Sequence, residues 1–529
     1  MARVYVLLPS IIQAPGRHGS FLHSLPVRPV PRSPGKPTLT AETVSTTRNA
    51  LKSAPPALRL PAVRLPSLLL SFSSLLFTGC GIQKDWERPA SRTPVDVPKA
   101  WNEASRQAHR KISTGWLSEF NDRRMKELVH EAISKNNDLR AAAYRLRSTR
   151  ESTITSRANR LPRVGAGGSA SRSRAGLGPA TDVSSRSYGL SFTASWEIDV
   201  WGRLRDLDYA TRVDYDAARA DYRAAQLSLA ANTAKAWINL TEAQQQVELA
   251  EQTLADFKKS LSLISRRHRE ALLRAVDVQF GRNNVASAER NLRSRTLQRD
   301  EAARTLQLLL GRYPSGELKA TSELPSLKRQ VPAGLPSQLL ARRPDLVAAR
   351  ARLEASALRA DAARKDLLPS LRLTSSSGAS SDQLRRALDP SYLTWSVASS
   401  LAQAVYEGGA PSARARAALE ANKAAIHDYV QTVLRAFREV ESALQIDRSL
   451  REQESFLLVE VDQAGKAQAA AERDLGLGIE GSSVLEILES QRRAVNARGA
   501  LIRLRNQRLQ NRLDLHLSLG GDYDTSGEQ

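Results

Sequence analysis

The sequence predicts an α+β chain made of two tandem repeats, each joining very long helices to a pair of membrane-crossing strands. Three observations predict it. The chain first repeats itself: NNDLRAAAYRLR from Asn136 aligns with RPDLVAARARLE from Arg343, at a shift of 207 that sets Asp138 over Asp345, Leu139 over Leu346 and Leu146 over Leu353. The same shift carries Leu161-Pro162 onto Leu368-Pro369 and Gly202 onto Gly409, and at 209 Leu310-Gly311 falls over Leu519-Gly520. That self-similarity is the mark of a duplicated supersecondary unit. Second, the chain has 24 prolines, yet none lies from 180 to 313 or from 412 to the end. Proline inside a helix costs roughly 3 kcal/mol, so such exclusion is what uninterrupted helices require. Third, two segments alternate apolar and polar residues for longer than a soluble strand usually runs.

The repeats read as 116–324 and 325–522, with a short tail at 523–529. Each holds helix, a Leu-Pro break, two alternating segments, then a long proline-free stretch. Strands are expected near 162–173, 187–200, 369–380 and 392–405. In SYGLSFTASWEIDV, Tyr188, Leu190, Phe192, Ala194, Trp196, Ile198 and Val200 hold every even position, and Ser, Gly, Thr, Glu and Asp hold the odd ones. Period two places all the apolar side chains on one face. The second copy keeps the phase through Leu393, Trp395, Val397, Leu401 and Val405. A strand half-buried in a soluble sheet would show the same alternation over five or six residues, but a tilted membrane strand needs about 9–11. An apolar outer face with a polar inner one fits the outer membrane. Four strands do not close a barrel, and hydrocarbon tolerates no open edge, so at least two chains must contribute.

In the proline-free stretches Ala217, Ala220, Ala224, Leu227, Ala231, Ala234 and Ile238, and again Ile426, Val430, Val433, Phe437, Val440 and Leu444, recur at spacings of three and four. This is a coiled-coil seam, and alanine lets backbones approach closely. A helix from 203 to about 262 would reach on the order of 90 Å.

Composition closes off other classes. The formal charge is +23, but residues 1–79 carry nine Lys or Arg against one acid, and the remaining 69 basic and 54 acidic residues form no long block. A nucleic-acid partner would need a clustered patch. The single cysteine, Cys80, excludes an internal disulfide. It ends a basic-flanked apolar run, Leu68 to Phe77, followed by Thr78-Gly79, so residues 1–79 read as an export signal with an N-terminal extension. Residues 1–58 lack periodicity and are either without packed structure or upstream of a true start near Val63. FTGC resembles a lipoprotein processing site, with Phe77 in place of the usual Leu, making Cys80 the lipidated first residue of a linker over 80–115. Acyl chains at about 0.8 kcal/mol per buried methylene would anchor it durably.

Taken together, GWLSEFNDRRMKELVHEAISKNNDL from Gly115, WEIDVWGRLR from Trp196, RRPDLVAARARL from Arg342, AVYEGG from Ala404, VLRAFREVESAL from Val433 and VLEILESQR from Val484 resemble the TolC-like outer membrane factors, in particular their lipoprotein branch. The resemblance covers nearly everything after Cys80. It implies an α+β membrane channel, a homotrimer in which four strands per chain give a 12-stranded transmembrane β-barrel continued by a long periplasmic α-helical barrel. It implies a conduit in a tripartite efflux or secretion system, docked to a periplasmic adaptor, or membrane fusion protein, and fed by an inner-membrane pump. It also implies a periplasmic gate at the last hairpin tip, GLGIEGSSVLEILES, where Glu486 and Glu489 match an acidic pair, with Glu for the usual Asp and a turn about two residues longer. Threefold symmetry would bring six carboxylates to one axis, a ring that repels itself and attracts cations. Asp277 holds the equivalent place in the first copy.

Remaining motifs carry less. Gly476, Gly478 and Gly481 have dinucleotide-fingerprint spacing but follow a long helix, so they mark a turn. The seven histidines lack metal spacing, and no cofactor or metal is expected. Arg342 and Arg343 precede Pro344, which opens a helix whose first turn Asp345 stabilises. Tyr188, Trp196, Trp201 and Trp395, with Tyr392 and Tyr406, are candidates for the girdle that meets outer membrane lipid. No enzyme constellation is present. The alternative is an envelope coiled-coil scaffold lipoprotein without channel activity, which leaves the two strand pairs unexplained.

Overall fold

The computed structural model describes residues 115–176, 182–321, 336–477 and 483–523, with short pieces at 89–91, 97–98, 100–102 and 323–327 and the single residues 331, 334 and 479. The signal and extension at 1–79, Cys80, most of the 80–115 linker, Gly478, Gly481 and the tail beyond 523 lie outside the described residues.

In chain order the elements are α1 (Arg123–Lys135), α2 (Asn137–Ala158), β1 (Arg163–Gly176), β2 (Asp182–Ile198), α3 (Arg203–Arg269), α4 (Ala275–Leu309), α5 (Pro336–Arg342), α6 (Pro344–Lys365), β3 (Ser370–Ser381), β4 (Thr394–Ala402), α7 (Ala410–Leu477) and α8 (Val484–Ser518). The duplication is therefore structural. α3 and α4 have 67 and 35 residues, and α7 and α8 have 68 and 35. Each long helix spans about 100 Å at 1.5 Å per residue. Gly202 and Gly409, and likewise Gly311 and Gly520, all take positive φ, at 76°, 81°, 69° and 67°. The match extends to what they touch: a Cβ on Gly311 would meet the Lys135 carbonyl oxygen at 3.0 Å, and one on Gly520 would meet Arg342, the residue 207 further on, at 3.1 Å. Glycine is needed twice, for the left-handed turn and for the close approach.

The expected seam is a buried one. Ala217, Leu227, Ala231, Ala234 and Ile238 on α3 are buried, as are Val433, Phe437 and Val440 on α7. Two equivalent cores form midway along the rods. Trp116, Phe120, Met125, Leu128 and Val129 pack on Trp237, Ile238, Leu306 and Leu513. Leu339, Leu346 and Leu353 pack on Val433, Phe437, Val440 and Leu519. α6 opens at Pro344, and Asp345 in its first turn accepts from the Leu346 amide at 3.0 Å and from Arg343. Buried Arg343 also reaches Glu439 at 2.8 Å, so it locks α6 onto α7.

All four strands form one antiparallel sheet in the order β1-β2-β3-β4. The largest departures from the expected boundaries are at the β1-β2 hairpin, where β1 also runs three residues further to Gly176, and at the end of β4. β2 begins at Asp182, five residues early, because its hairpin with β1 extends the ladder to the pair Gly176 and Asp182. β4 ends at Ala402, because its only partner β3 begins at Ser370, which pairs with Ala402, and leaves nothing for the next residues to bond; Val405 and Tyr406 lie beyond the strand, 98% and 88% exposed.

Candidate functional site

Three features of the described residues can carry function: the sheet, the hairpin tips, and the strap that precedes Gly115.

Among the described residues no layer covers the body of the sheet; only the short helix Leu384–Ala387 touches its β2-β3 end. Register places Val164, Ala166 and Ala170 on the same face as Tyr188, Leu190, Phe192, Ala194, Trp196 and Ile198, and continues it through Leu371, Leu373 and Ala379 to Trp395, Val397 and Leu401. These are side chains that water ordinarily drives inward, yet Val164, Phe192, Trp395 and Leu401 are 59–77% exposed. The opposite face carries Gly165, Gly167, Ser169, Ser191, Thr193, Ser195, Thr374, Ser376, Gly378, Ser396 and Ser400. Its hydroxyls bond across strands, Ser376 to Ser396 at 2.8 Å and Ser187 to Ser380 at 3.2 Å. Short neutral polar groups make a wet wall without a fixed charge over most of its height. Charge returns at the helix-joined end, where Arg203 pairs with Glu197 at 2.6 Å.

The girdle candidates divide between the two ends of the sheet. Trp196 donates from Nε1 to the Arg160 carbonyl at 2.9 Å, and Trp201 to the Pro369 carbonyl at 2.7 Å, both where strands meet helices. Tyr188, Tyr392 and Trp395 lie toward the strand-connecting loops. Beyond Tyr188 the apolar face changes character: Arg172 and Arg186 are Cα partners, with Arg174 next. The sequence showed these arginines at even positions, the signal that they continue that face.

At the opposite extreme the tips of the two helix hairpins pack together through Ile264, Val278, Leu475, Val484 and Ile487. Arg267 donates to the Gly476 carbonyl at 2.9 Å, tying one tip to the other. Asp277 and Glu486 both prove to be the third residue of their helix, each accepting from the amide of its cap residue; only Ser483 returns a side-chain bond, accepting from the Leu485 amide at 3.2 Å, since the Arg274 guanidinium has no acceptor. Asp277 accepts from the Arg274 amide at 3.1 Å and is buried; Glu486 accepts from the Ser483 amide at 3.3 Å and is exposed. Ser483-Val484-Leu485-Glu486 was readable as a capping box from sequence. Glu489, one turn on, is held by Arg493 at 2.8 Å and Arg492 at 2.7 Å, and these guanidinium contacts keep its carboxyl below the usual range. Further up, Gln491 donates to Ser260 and Glu472 at 2.8 and 2.9 Å, and burial, then the nearby Glu472, raises the Asp256 carboxyl. Sequence reading missed this buried network.

Two described pieces of the strap touch α7. Asn422, buried, accepts from the Ala90 amide at 2.9 Å and returns a bond to its carbonyl at 3.0 Å. Eleven residues on, Trp101 sits edge-on to Phe437 at 5.9 Å, and the Asn102 amide donates to Glu441 at 2.8 Å. Among the described residues no three His, Cys, Asp or Glu side chains cluster as metal ligands, and no helix is long and apolar enough to cross a membrane.

Comparison with known proteins agrees with this geometry. A family model described as outer membrane efflux protein matches residues 128–312 and 335–521, one block per repeat. The chain is similar to the cation efflux system protein CusC of Escherichia coli O6:H1, 29% identical over 463 residues that cover 87% of this chain and 99% of the relative. It is similar to the outer membrane protein OprJ of Pseudomonas aeruginosa, 30% identical over 478 residues, 88% of this chain and 97% of that one. Among solved structures it is similar to the outer-membrane channel OprN, with a TM-score of 0.76 at 26% identity, covering 83% of this chain and 99% of the other.

Proposed function

The chain belongs to the outer membrane efflux protein family, and on that premise we propose how it works as an outer membrane efflux channel. Three copies join their four-stranded sheets, the open side of β4 pairing with β1 of the next copy, into a twelve-stranded barrel. Lipid covers the face of Leu190, Phe192 and Trp395, and water fills the hydroxyl-lined side. α3, α4, α7 and α8 continue the tube into the periplasm, where a periplasmic adaptor protein and an inner-membrane pump engage it and supply the cargo and the energy. The observation that carries this reading is the sheet itself, which among the described residues is largely uncovered on both faces, apolar on one and polar on the other, with two open edges. A scaffold without a pore leaves each of these features costly and unused.

Glu486 and Glu489 form the periplasmic gate in this reading, with Asp277 in a lesser part because its carboxylate is buried in its own cap. Lipidation at Cys80 is favoured by reach. Ten residues separate Cys80 from Ala90, up to about 33 Å of extended chain, whereas Asn422 lies twelve residues, about 18 Å of helix, from the sheet-side end of α7. An acyl anchor at Cys80 can therefore reach the membrane.

The test is direct. The purified protein should run as a trimer that converts to monomer on heating, conduct ions across a planar bilayer, and restore efflux when expressed with its pump and adaptor in a strain lacking its own channel. A heat-insensitive soluble monomer without conductance would refute the channel.

A further inference from the structure

We propose that Arg172 and Arg186, supported by Arg174, form a binding site for the phosphorylated headgroup of an outer-leaflet glycolipid. The proposal rests on the channel reading, which makes the strand-connecting loops the outward end.

Arg172 and Arg186 are direct partners in the β1-β2 ladder, on the face that carries Ala170 and Tyr188 one row below. Like charges directly opposite each other, with Cβ atoms about 5 Å apart, destabilise a strand pair. A hairpin that keeps them needs an anion between them. The described residues do not supply one. Among the described residues neither guanidinium has an ion-pair partner, and by sequence the loop end of the hairpin, residues 171–187, holds three arginines and one aspartate, a net charge of +2. The acids of the neighbouring loop are engaged locally: Asp389 accepts from the Ser391 amide at 3.0 Å and from its hydroxyl, and Asp382 faces Arg386 at 3.7 Å. The strand that the next copy would bring beside β1 is β4, TWSVASSLA, which has no charged residue.

Height decides what the anion is. From Ile198 to Tyr188 the apolar face covers ten residue steps, about 25 Å along the membrane normal for strands tilted near 40°. Arg172 and Arg186 stand one row above that band, about 5 Å beyond its rim, on the lipid-facing side and not on the hydroxyl-lined one. That is headgroup depth. A phosphomonoester there can take two guanidinium forks at once, each bidentate, which is the geometry arginine favours over lysine.

The trimer, purified whole, is reconstituted into nanodiscs of phosphatidylcholine alone, with added bis-phosphorylated outer-membrane glycolipid, or with the same glycolipid after phosphatase treatment; a fourth arm offers inorganic phosphate in place of the glycolipid. Native mass spectrometry counts retained molecules, and bilayer conductance is read on the same samples. Wild type should keep the phosphorylated glycolipid, and Arg172→Gln with Arg186→Gln should lower retention about tenfold or more while trimer and conductance are unchanged. Arg172→Lys with Arg186→Lys, which keeps charge but loses the forks, should fall between. Equal retention by the Gln variant, equal retention of the phosphatase-treated lipid, or saturation by inorganic phosphate in place of the lipid would overturn the proposal. So would a Gln variant that loses its trimer while the Lys variant binds no better, since the arginines would then be bonding a neighbouring copy. Failure of wild type to assemble or conduct would instead refute the channel reading.

Discussion

Gly378 gives the sharpest test of how the sheet is held. It lies on β3 opposite Ser191, in the most central of the three strand pairings. A Cβ placed on it would stand 2.4 Å from the Leu190 carbonyl oxygen and 3.1 Å from the Cα of Ser191. Carbon and oxygen in adjacent strands settle at about 3.3 Å or more, so Gly378→Ala must open the β2-β3 spacing by roughly 0.9 Å. Ladder bonds near 2.9 Å would then lengthen toward 3.8 Å, beyond useful range. Overpacking of this kind costs about 1–3 kcal/mol, and each copy of the variant in an assembly pays it separately. Gly189→Ala is the control: its Cβ would meet the Ser169 hydroxyl at 2.9 Å, a group that can rotate away. The measurement is the temperature at which the assembled species converts to monomer on an unboiled gel. Gly378→Ala should lower it by on the order of 5 °C and Gly189→Ala by little. The reasoning fails if Gly378→Ala dissociates with wild type, or if Gly189→Ala falls as far.

Three further outcomes follow from the contacts described. Asn422→Ala should cost about 1–3 kcal/mol by leaving the Ala90 amide and carbonyl unpaired, read as faster proteolysis within 90–102. The Glu131 carboxyl is held below its usual range, first by the hydrogen bond from Arg312, which binds α1 to the end of α4 at 2.8 Å. A lowered folded value means that this stabilisation is complete above the unfolded glutamate range, near pH 4.3, and is lost as pH falls through the folded one. Glu131→Gln should therefore melt below wild type at pH 7, and the gap should close toward pH 3. Glu486→Ala with Glu489→Ala should raise the conductance of the resting channel and abolish any divalent-cation block, whereas Asp277→Ala should chiefly destabilise its helix start by about 1 kcal/mol; unchanged conductance in the double variant removes the gate assignment.

What the sequence disclosed follows from periodicity. The duplication was legible because Gly202, Gly311, Gly409 and Gly520 are each fixed by a backbone geometry that only one residue tolerates well. Leu190, Phe192 and Trp196 were legible because a face wetted on one side and greasy on the other imposes period two. The rest lacks a period. The bond between Asn422 and Ala90 joins residues 332 apart and leaves no local trace. The early start of β2 was hidden because Arg172 and Arg186 interrupt the alternation while keeping its phase. Alternation also runs past the end of β4, as far as Val405, although β3 offers no partner beyond the pair of Ser370 with Ala402. The tip carboxylates Asp277 and Glu486 stand out in the sequence as charges, whereas their bonds to helix-start amides depend on where each helix begins, which periodicity alone does not fix.

The exposed borders of β1 and β4 bear on how such pores come into being. A solitary copy in hydrocarbon would present two rows of amides and carbonyls with no solvent to receive them, each a loss of several kcal/mol. Insertion must then be a collective act, completed only when the ring's quota of subunits meets, so the cell envelope is spared leaky fragments. By the same logic one faulty subunit spoils a whole ring, and mixing wild type with a variant defective at either border should suppress transport out of proportion to the variant's share.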